Sequence, residues 1–545
     1  MSSAAAEHRN PAPAAMVPAG QSARRAGARS LDAYGPVVIA AATMAALGLW
    51  GLARFSAMGN DESATRWAAR LSLPGLGHLL VHLDVVHGLY YLLMHGWMVL
   101  GTSPTIMRVP SVIAMTAAVA MTVILGRRLT GSGWAGLLAG LIVALTPAIS
   151  YYGQTARSYA LVFACVIGQT LALLRAMAAE NSGPAENSGP AQAGEAAGAA
   201  RTRVAGRWVA YGALVALGGY LNELSLLVLA AHAVTVLLAR YGRRAVTHWA
   251  IAAAAGAVAV TPVVVLSARE SGAVYWIPRP SAAALGLLFR DYFGMAAGAS
   301  ALIVGCAVVA LLPPFGARAE PAWWRHGGFS VPSVAAPLLV LPAGLLILES
   351  LVARPFYVDR YVLFGEAGAA LLAAAGACRI GQWLAGPGRR RTLVWVPGAI
   401  VCVWALLLQI GAQQFVRTPA SRTFNYGGPA RYLAARAQPG DGVLFLGSFY
   451  RTVRLGYPGD FARTRDFAMA VSPVTSGTFQ GVDKPFPVIR QLMLARQRIW
   501  VVGKSPLVPL PAGLMTAESR VLRHRYSLVS HRRFRGVVVT FWLRR

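Results

Sequence analysis

Two adjacent carboxylates, Asp61 and Glu62, follow directly after the first long apolar run of the chain. Carboxylates at the mouth of an apolar helical bundle are costly unless a water-facing cavity keeps one of them ionised. In such a cavity a carboxylate can take a proton from a hydroxyl group in a substitution reaction. The pair therefore indicates general base chemistry, although an interfacial acidic pair also occurs for solubility or at a helix N-terminus.

A second polar group lies in the same loop, where Asp84 and His87 are followed by Tyr90. Zinc needs three or four converging ligands, and the spacing of the nearby histidines offers no such set. We therefore predict no metal site here. Hydrogen bonding to a polyhydroxylated ligand is the favoured interpretation.

Two arginines stand at the ends of later apolar runs, Arg157 before Tyr159 and Arg360 before Tyr361. A single arginine at such a boundary often only reaches towards lipid headgroups. Several arginines converging on one cavity would bind a phosphate or diphosphate, because the guanidinium fork matches phosphate oxygens. Trp276 lies in a loop of mixed charged and aromatic residues, 267–293, which suits a lipid entrance.

The elements that position these residues are apolar helices. Of 545 residues, 56% are hydrophobic and 13% are charged, which excludes an ordinary soluble enzyme and a disordered chain. Eleven runs are long enough to predict membrane spans. They lie at about 36–53, 110–126, 134–150, 158–178, 208–222, 224–240, 246–266, 294–312, 332–350, 361–378 and 393–412. The chain is thus predicted to be a polytopic α-helical membrane protein.

Arginine placement predicts the orientation. The formal net charge is +30, and arginine clusters recur on one side of alternating spans. That side is cytoplasmic by the positive-inside rule, so the N-terminus is expected inside and the C-terminus outside. The same arginines and an anionic membrane surface explain the basic charge, so we expect anionic lipids and no nucleic acid as partners.

Three regions are expected along the chain. Residues 1–30 are predicted to be disordered and cytoplasmic. Residues 31–412 form the transmembrane domain, with a first outside loop at 54–109 and a cytoplasmic low-complexity linker at 180–206. Residues 413–545 hold β-like runs at 442–447, 498–503 and 536–543, which predict a small extracytoplasmic α/β domain. This last region carries 19 arginines and two lysines against five acids, a net charge of +16.

The first outside loop resembles that of the GT-C superfamily of polyprenyl-phosphate-sugar-dependent glycosyltransferases, because an acidic pair directly follows the first span. Four short motifs look like the bacterial branch of family 39, the protein O-mannosyltransferase-like enzymes. They are Asp84/His87/Tyr90/Tyr91, Arg108/Pro110/Ser111, Ala156–Tyr159 and Arg360-Tyr361. The resemblance covers roughly residues 36–410. One departure is His87-Gly88-Leu89-Tyr90, where the family often has a proline-rich turn.

The resemblance implies a membrane glycosyltransferase, a hexosyl- or pentosyltransferase of the cell envelope. A sugar, mannose or another hexose or pentose, would pass from a polyprenyl phosphate to a glycan, glycolipid or protein acceptor outside the cytoplasm. Asp61 would be the general base of an inverting displacement, and Glu62 would orient the acceptor or raise the base's pKa. Arg157 and Arg360 would bind the leaving phosphate, and no cofactor or metal is expected. Residues expected to bind substrate are Asp84, His87, Tyr90, Tyr159, Tyr361 and Trp276.

Two other classes of function remain open from the sequence. A transporter or flippase of a lipid-linked solute would usually show paired repeats and broken helices near the membrane centre. The halves of this chain show no matching pattern. A non-catalytic envelope-assembly scaffold could use the basic C-terminal domain alone. A substitution at Asp61 separates these classes, because only an enzyme would lose product formation.

Overall fold

The computed structural model describes residues 19–53, 57–180, 190–270, 276–312, 325–326, 328–385, 396–505, 507 and 516–545. Side chains of residues 19–33, 190–197 and 325–326 lie outside this description. Most of the predicted disordered N-terminus, residues 1–18, is therefore not described, and neither are residues 181–189 of the predicted linker. Helix α9 begins at Pro190, so the later part of the segment expected to be a linker is helical.

Helices dominate the first 415 residues. In chain order they are α1 (Ala19–Leu49), α2 (Asn60–Ala68), α3 (Leu73–His82), α4 (Gly88–Trp97), α5 (Pro104–Thr130), α6 (Gly133–Leu145), α7 (Pro147–Gly153), α8 (Tyr159–Glu180), α9 (Pro190–Leu221), α10 (Val228–Leu238), α11 (Arg243–Ala259), α12 (Thr261–Arg269), α13 (Ala282–Phe293), α14 (Ala297–Leu311), α15 (Val331–Val352), α16 (Glu366–Ala385) and α17 (Val396–Phe415). A short hairpin, β1 (Arg325–His326) with β2 (Phe329–Ser330), precedes α15.

The chain is a multi-pass membrane protein. Six described helices are long and apolar enough to cross a membrane, and the count rises to nine if each of three bent pairs forms one span. The bent pairs are α6 with α7 (68°), α11 with α12 (44°) and α13 with α14 (73°). At two further predicted spans the described apolar helices, Tyr34–Leu49 and Glu223–Leu238, are shorter. Each of the eleven predicted spans thus coincides with apolar helix among the described residues.

Small residues let the membrane helices pack closely. A Cβ added at Gly136 would come within 3.0 Å of the Arg127 backbone nitrogen, and one at Gly368 within 2.8 Å of the Leu339 nitrogen. Such close backbone approach is typical of helix packing in membranes. Helix α16 lies at the centre, since nearly all of its side chains are buried. The loop before it is therefore held at a fixed position relative to α5, α8 and α14.

The predicted first outside loop, residues 54–109, contains three short helices in its described part, α2, α3 and α4. Ser72 caps α3 by accepting a hydrogen bond from the Gly75 amide. A 3-10 turn at Val85–His87 joins α3 to α4, and Asp84 before it has a left-handed backbone (φ 65°). These helices enclose an apolar core that includes Tyr90, Tyr91 and Met94.

An α/β domain follows α17, as the sequence predicts. Its elements are α18 (Gly427–Ala434), β3 (Asp441–Leu446), α19 (Thr452–Gly456), β4 (Thr464–Asp466), β5 (Met469–Val471), α20 (Pro473–Ser476), β6 (Val482–Asp483), α21 (Phe486–Leu494), β7 (Arg498–Gly503), α22 (Ala517–Arg525), β8 (Tyr526–Phe534) and β9 (Val537–Arg544). The main sheet has the order β4-β3-β7-β9-β8, with β3 parallel to β4 and β7 and with β9 antiparallel to β7 and β8. The three predicted β-like runs correspond to β3, β7 and β9.

The α/β domain packs directly against α2. The Tyr457 hydroxyl accepts a hydrogen bond from the Met58 amide at 2.7 Å, and the Tyr426 amide donates to the Met58 carbonyl at 3.1 Å. The Arg66 guanidinium donates to the Gly456 carbonyl at 2.7 Å. The helix that carries the acidic pair is thus held between the membrane domain and the C-terminal domain.

Candidate active site

Helix α2 places Asp61 and Glu62 in its first turn, where carboxylates are stabilised by the positive end of the helix dipole. Consecutive side chains on an α-helix point about 100° apart. The two carboxylates therefore face different surroundings although they are adjacent in the sequence.

Glu62 is an internal ion-pair partner. Its oxygens accept hydrogen bonds from Arg108 Nε at 2.7 Å and Nη2 at 2.6 Å, and from the Ala156 amide at 3.0 Å. Glu62 and Arg108 are 4% and 1% exposed, so this pair joins α2, α5 and the start of α8 out of contact with solvent. Burial opposes the charge of Glu62, but Arg108 holds its pKa below the ordinary value. The expectation that Glu62 orients the acceptor is not supported by this placement.

Asp61 forms no ion pair within 4 Å among the described residues, which distinguishes it from Glu62. Burial opposes its charge, but the guanidiniums of Arg157 and Arg360 act on it and bring its pKa below the ordinary value of 3.8. The Asn60 side chain adds a hydrogen bond to its carboxylate. The expectation that the acidic pair raises the pKa of one member is therefore wrong for this structure, because each carboxylate faces its own arginines.

Arg157 lies at the centre of a buried polar network. Its Nη1 donates to the Tyr91 hydroxyl, which donates in turn to the Asp84 carboxylate, and its Nη2 lies 3.5 Å from Asp84 Oδ2. The Arg157 side chain is 8% exposed. Its Nε has no partner in the part of the chain that the structure describes. A buried N–H without a partner is costly, and an anionic ligand would relieve that cost.

Arg360 is held by aromatic side chains. Its Nε donates to the Tyr159 hydroxyl at 2.9 Å, and its guanidinium carbon lies 5.5–5.8 Å from the ring centroids of Tyr159, Tyr361 and Trp276. These contacts fix the plane of the guanidinium while leaving its charge unpaired by a carboxylate within 4 Å among the described residues. The three aromatic residues predicted from sequence thus contact Arg360.

The turn at Asp84 sets the other side of the site. His87 Nδ1 lies 3.3 Å from the Ser158 hydroxyl, and its Nε2 lies 4.0 Å from Asp84 Oδ1. Burial and the nearby Arg157 lower the pKa of His87 to about 4, so the imidazole is neutral at working pH. A neutral imidazole can bind a hydroxyl group without adding charge to the site.

Tyr90 is fully buried in the apolar core of the first loop, with Met58 and Met107 in the same cluster. Its hydroxyl lies close enough to Arg157 and Tyr159 to interact with their charges. Its role in binding substrate stays a prediction. The remaining predicted residues, Asp61, Asp84, His87, Arg157, Tyr159, Trp276, Arg360 and Tyr361, lie near one another and are linked by the contacts above.

Several residues of the site were missed by sequence reasoning. The sequence places Arg108 in a motif but predicts no role for it, although an arginine inside an apolar run requires a buried partner. Tyr426 of the C-terminal domain donates to Asn60 Oδ1 at 3.3 Å, and Asn60 in turn contacts Asp61. Glu270 accepts two backbone N–H bonds of the Asp84 turn. No sequence signal connects Asn60 to Tyr426 or Asp84 to Glu270.

The described residues include no group of three or more histidine, cysteine or acidic side chains arranged to hold a metal ion. A groove of about 960 Å³ runs between α9 and α11, but its lining is mostly apolar and includes none of the residues above. Among the described residues, the candidate site for a polar ligand is therefore the one around Asp61, Arg157 and Arg360.

The structure is similar to solved membrane proteins. ArnT from Cupriavidus metallidurans bound to undecaprenyl phosphate matches with a TM-score of 0.56 and 14% identity over 93% of this chain and 98% of that chain. The apo form of ArnT matches with a TM-score of 0.53, 14% identity and the same coverage. This chain has the GT-C fold.

The GT-C fold predicted from the acidic pair and the span pattern is thus confirmed. AglB from Archaeoglobus fulgidus, in complex with an inhibitory peptide and a dolichol phosphate, matches with a TM-score of 0.46 and 12% identity over 86% of this chain and 69% of that chain. No family model and no curated protein matches the sequence. The family 39 branch therefore stays a prediction.

Proposed function

We propose that this protein is a membrane glycosyltransferase that transfers a sugar from a polyprenyl-phosphate donor to a hydroxyl acceptor. The observation that carries the proposal is that Asp61, which has no ion pair within 4 Å among the described residues, lies in the field of the guanidiniums of Arg157, which is buried, and of Arg360, which is half-buried. The GT-C fold and the undecaprenyl phosphate bound to ArnT support the same donor chemistry.

The reaction is a displacement at the anomeric carbon of the donor sugar. The acceptor oxygen forms the new glycosidic C–O bond while the bond between that carbon and the phosphate oxygen breaks. Asp61 takes the acceptor proton, and the polyprenyl phosphate departs with the bonding electron pair. Attack opposite the departing phosphate inverts the anomeric configuration. A positioned base of this kind contributes about 10²–10⁴-fold to a rate.

Arg157 and Arg360 stabilise the charge that grows on the departing phosphate. Their positions are fixed before the reaction, Arg157 by Tyr91 and Arg360 by Tyr159, so little reorganisation is needed as charge develops. The buried Nε of Arg157 supplies a donor that the protein itself leaves unused within the described residues.

Donor binding also prepares the base. In the free protein the two guanidiniums keep the pKa of Asp61 low, so the carboxylate is ionised but weakly basic. A phosphate anion between them offsets their field, so the pKa of Asp61 rises when donor is bound. Asp61 is therefore a stronger base only in the complex with donor, which is the complex that can react.

The site and the C-terminal domain are inferred to face the extracytoplasmic side. Basic residues at the opposite helix ends support this orientation, since Arg127 and Arg128 end α5 and Arg243 and Arg244 begin α11. An acceptor, whether glycan, glycolipid or protein, would then reach Asp61 from outside. The +16 charge of residues 413–545 favours an anionic acceptor or docking on anionic lipid.

The test is a turnover assay with purified protein in bilayers. Radiolabelled polyprenyl-phosphate mannose and, separately, the arabinose analogue are supplied with an envelope extract as acceptor. Wild type is expected to transfer label from one donor, and Asp61→Asn is expected to lose at least about 10²-fold in rate because its amide cannot take the proton. Glu518→Gln, the corresponding acid-to-amide change in the first turn of α22 of the C-terminal domain, is the control and should retain activity.

Two outcomes would contradict the proposal. Donor movement across the bilayer without a new glycosidic bond would indicate transport. Absence of transfer from every donor by folded wild-type protein, with no donor movement, would favour a scaffold.

A further inference from the structure

Glu270 lies at the end of α12, far in sequence from the first loop, and holds the turn that begins at Asp84. Its Oε2 accepts the Asp84 backbone N–H at 2.6 Å, and its Oε1 accepts the Val85 backbone N–H at 3.1 Å. Both oxygens of one carboxylate are thus bound to two consecutive amides. Charged acceptors make shorter and stronger hydrogen bonds to backbone amides than neutral acceptors do.

The turn that Glu270 binds has an unfavourable backbone conformation. Asp84 has φ 65°, and the only other non-glycine residue with positive φ in the described chain is Arg240. A non-glycine residue in this region persists where the surroundings stabilise it. Within the described residues, the carboxylate of Glu270 is the side-chain partner of the two amides at this turn.

The same turn determines where the Asp84 side chain points. Asp84 Oδ2 accepts the Tyr91 hydroxyl, which also contacts Arg157, and lies 3.5 Å from Arg157 Nη2. A change in the Asp84 backbone would therefore release one side of the Arg157 guanidinium. A displacement of about 1 Å at such a group can cost about 10²-fold in rate.

We infer that Glu270 is a positioning residue that fixes the Asp84 turn and through it the orientation of Arg157. The predicted effect of Glu270 on turnover rests on the proposed function. Its predicted effect on the conformation of the turn does not. Glu270 touches neither donor nor acceptor in this assignment. It acts through two backbone bonds and the Asp84 carboxylate.

The charges around Glu270 make its action sensitive to pH. Burial, together with the negative charges of Asp84 on the turn and Glu223 beside α10, raises the pKa of Glu270 to about 7, although the two backbone bonds oppose that rise. Above pH 7 both oxygens accept. Below pH 7 a proton occupies one oxygen and removes one acceptor from the turn, so the orientation of Arg157 is expected to loosen as pH falls.

The experiment compares Glu270→Gln and Glu270→Ala with wild type in the same reconstituted system. Gln keeps one carbonyl acceptor and Ala keeps none, so kcat is expected to fall in that order, by about tenfold and about a hundredfold. Wild type should lose activity as pH falls through 7, and Glu270→Gln should not show that loss. Glu223→Gln is the matched control, because its only expected effect is to move the loss of activity to lower pH.

A double-mutant cycle separates a positioning role from a general structural one. If Glu270 acts through Asp84, the kcat effects of Glu270→Ala and Asp84→Asn will be strongly non-additive. Additive effects would overturn the inference. A lower unfolding temperature with unchanged kcat would also overturn it.

Hydrogen exchange tests the turn without any turnover. Peptides covering residues 83–91 should exchange faster in Glu270→Ala than in wild type, with binding of undecaprenyl phosphate weakened. Unchanged exchange there would overturn the inference even if the enzyme is active. If wild type transfers no sugar but residues 83–91 still exchange faster in Glu270→Ala than in wild type, the proposed function is contradicted and the role of Glu270 in fixing the turn is supported.

Discussion

Adjacent residues of one type have different roles here because their surroundings differ. Glu62 forms two hydrogen bonds to Arg108 and has almost no exposed surface, so it stabilises the fold. Asp61, one position earlier, has two arginines near it and no ion-pair partner within 4 Å in the described chain. The carboxylate that we propose for proton transfer is therefore the one without an ion-pair partner among the described residues.

The Glu62–Arg108 pair makes a prediction about stability. Glu62→Gln leaves a buried guanidinium without its counter-charge and is expected to reduce the free energy of unfolding by about 3–5 kcal/mol. Thermal unfolding in detergent would measure the change. The double variant Glu62→Leu with Arg108→Met should recover most of the loss, since a buried pair can be replaced by apolar residues of similar volume.

The control for this measurement is Arg244→Met. Arg244 lies 3.8 Å from Glu180, but its side chain is 71% exposed, so its removal should change the unfolding temperature little. A small effect of Glu62→Gln, equal to that control, would contradict the structural role of the buried pair.

Single residues show how far sequence reasoning reaches. Resemblance to a family assigns Arg157 and Arg360 to the site. Charged residues in apolar surroundings must have a partner or a function, and this rule points to the Asp61-Glu62 pair. The rule does not decide which member of the acidic pair forms an internal ion pair. That depends on the direction in which each side chain points from α2, and consecutive side chains on a helix differ by about 100°. The contact between Glu270 and the Asp84 turn could not be predicted for another reason. Glu270 binds backbone amides, which every residue except proline has, so the contact leaves no pattern in side-chain types.

At the level of elements, apolar runs and β-rich runs predict most of the architecture. The three predicted β-like runs correspond to β3, β7 and β9, whose hydrophobic residues are mainly buried. Strand β8 was missed because it is an edge strand with half-buried His531 and exposed Arg532 and Arg533, a composition that protects an open edge instead of filling a core. Bends of 44–73° within three helix pairs were also missed, since hydropathy does not report helix direction.

A second prediction concerns helix α19, which contacts α2 and helps to set its position without touching the site. A Cβ on Gly456 would lie 2.8 Å from Ser63 Cβ. Gly456→Ala should therefore displace α2 and reduce kcat by about 10²-fold or less, with donor binding less affected. The same turnover assay would measure it.

Two further variants test this contact. Gly459→Ala is the matched control, because nothing lies within 4 Å of a Cβ at that position, and it should behave as wild type. Ser63→Gly combined with Gly456→Ala removes the clash and should restore part of the activity. A loss of activity in Gly459→Ala as large as that in Gly456→Ala would show that the contact is not the cause.

For the whole molecule, the site depends on segments that are distant in the sequence. Arg157 follows α7, Arg360 precedes α16, and Tyr426 opens the C-terminal domain, yet all three act on Asp61 or its neighbour Asn60. Short motifs predicted that the first two belong to one site only through resemblance to a family. The convergence itself depends on helix packing and on domain docking, which residue types alone do not specify.

Two arginines fasten the C-terminal domain to the membrane domain. Arg417 Nε donates to the Trp50 carbonyl at 3.0 Å at the end of α1. Arg422 Nη1 donates to the Thr155 hydroxyl at 2.6 Å, its Nη2 donates to the Gln154 carbonyl at 3.2 Å, and its guanidinium lies 3.9 Å from the Tyr151 ring centroid. The segment between α17 and α18 is thus bonded to the corner that carries Arg157.

Arg422→Ala is expected to weaken this docking. The loss of charged hydrogen bonds costs about 1.5–3 kcal/mol, which raises the undocked fraction about ten- to a hundredfold. Limited proteolysis between residues 416 and 426 should accelerate by a similar factor. Turnover should fall, because α2 loses its contact with the C-terminal domain in the undocked state. Arg463→Ala, an exposed arginine of the same domain, is the control and should leave both rates unchanged. Faster cleavage with full turnover would mean that domain docking is not required to position Asp61, because the membrane domain alone would then suffice for that task.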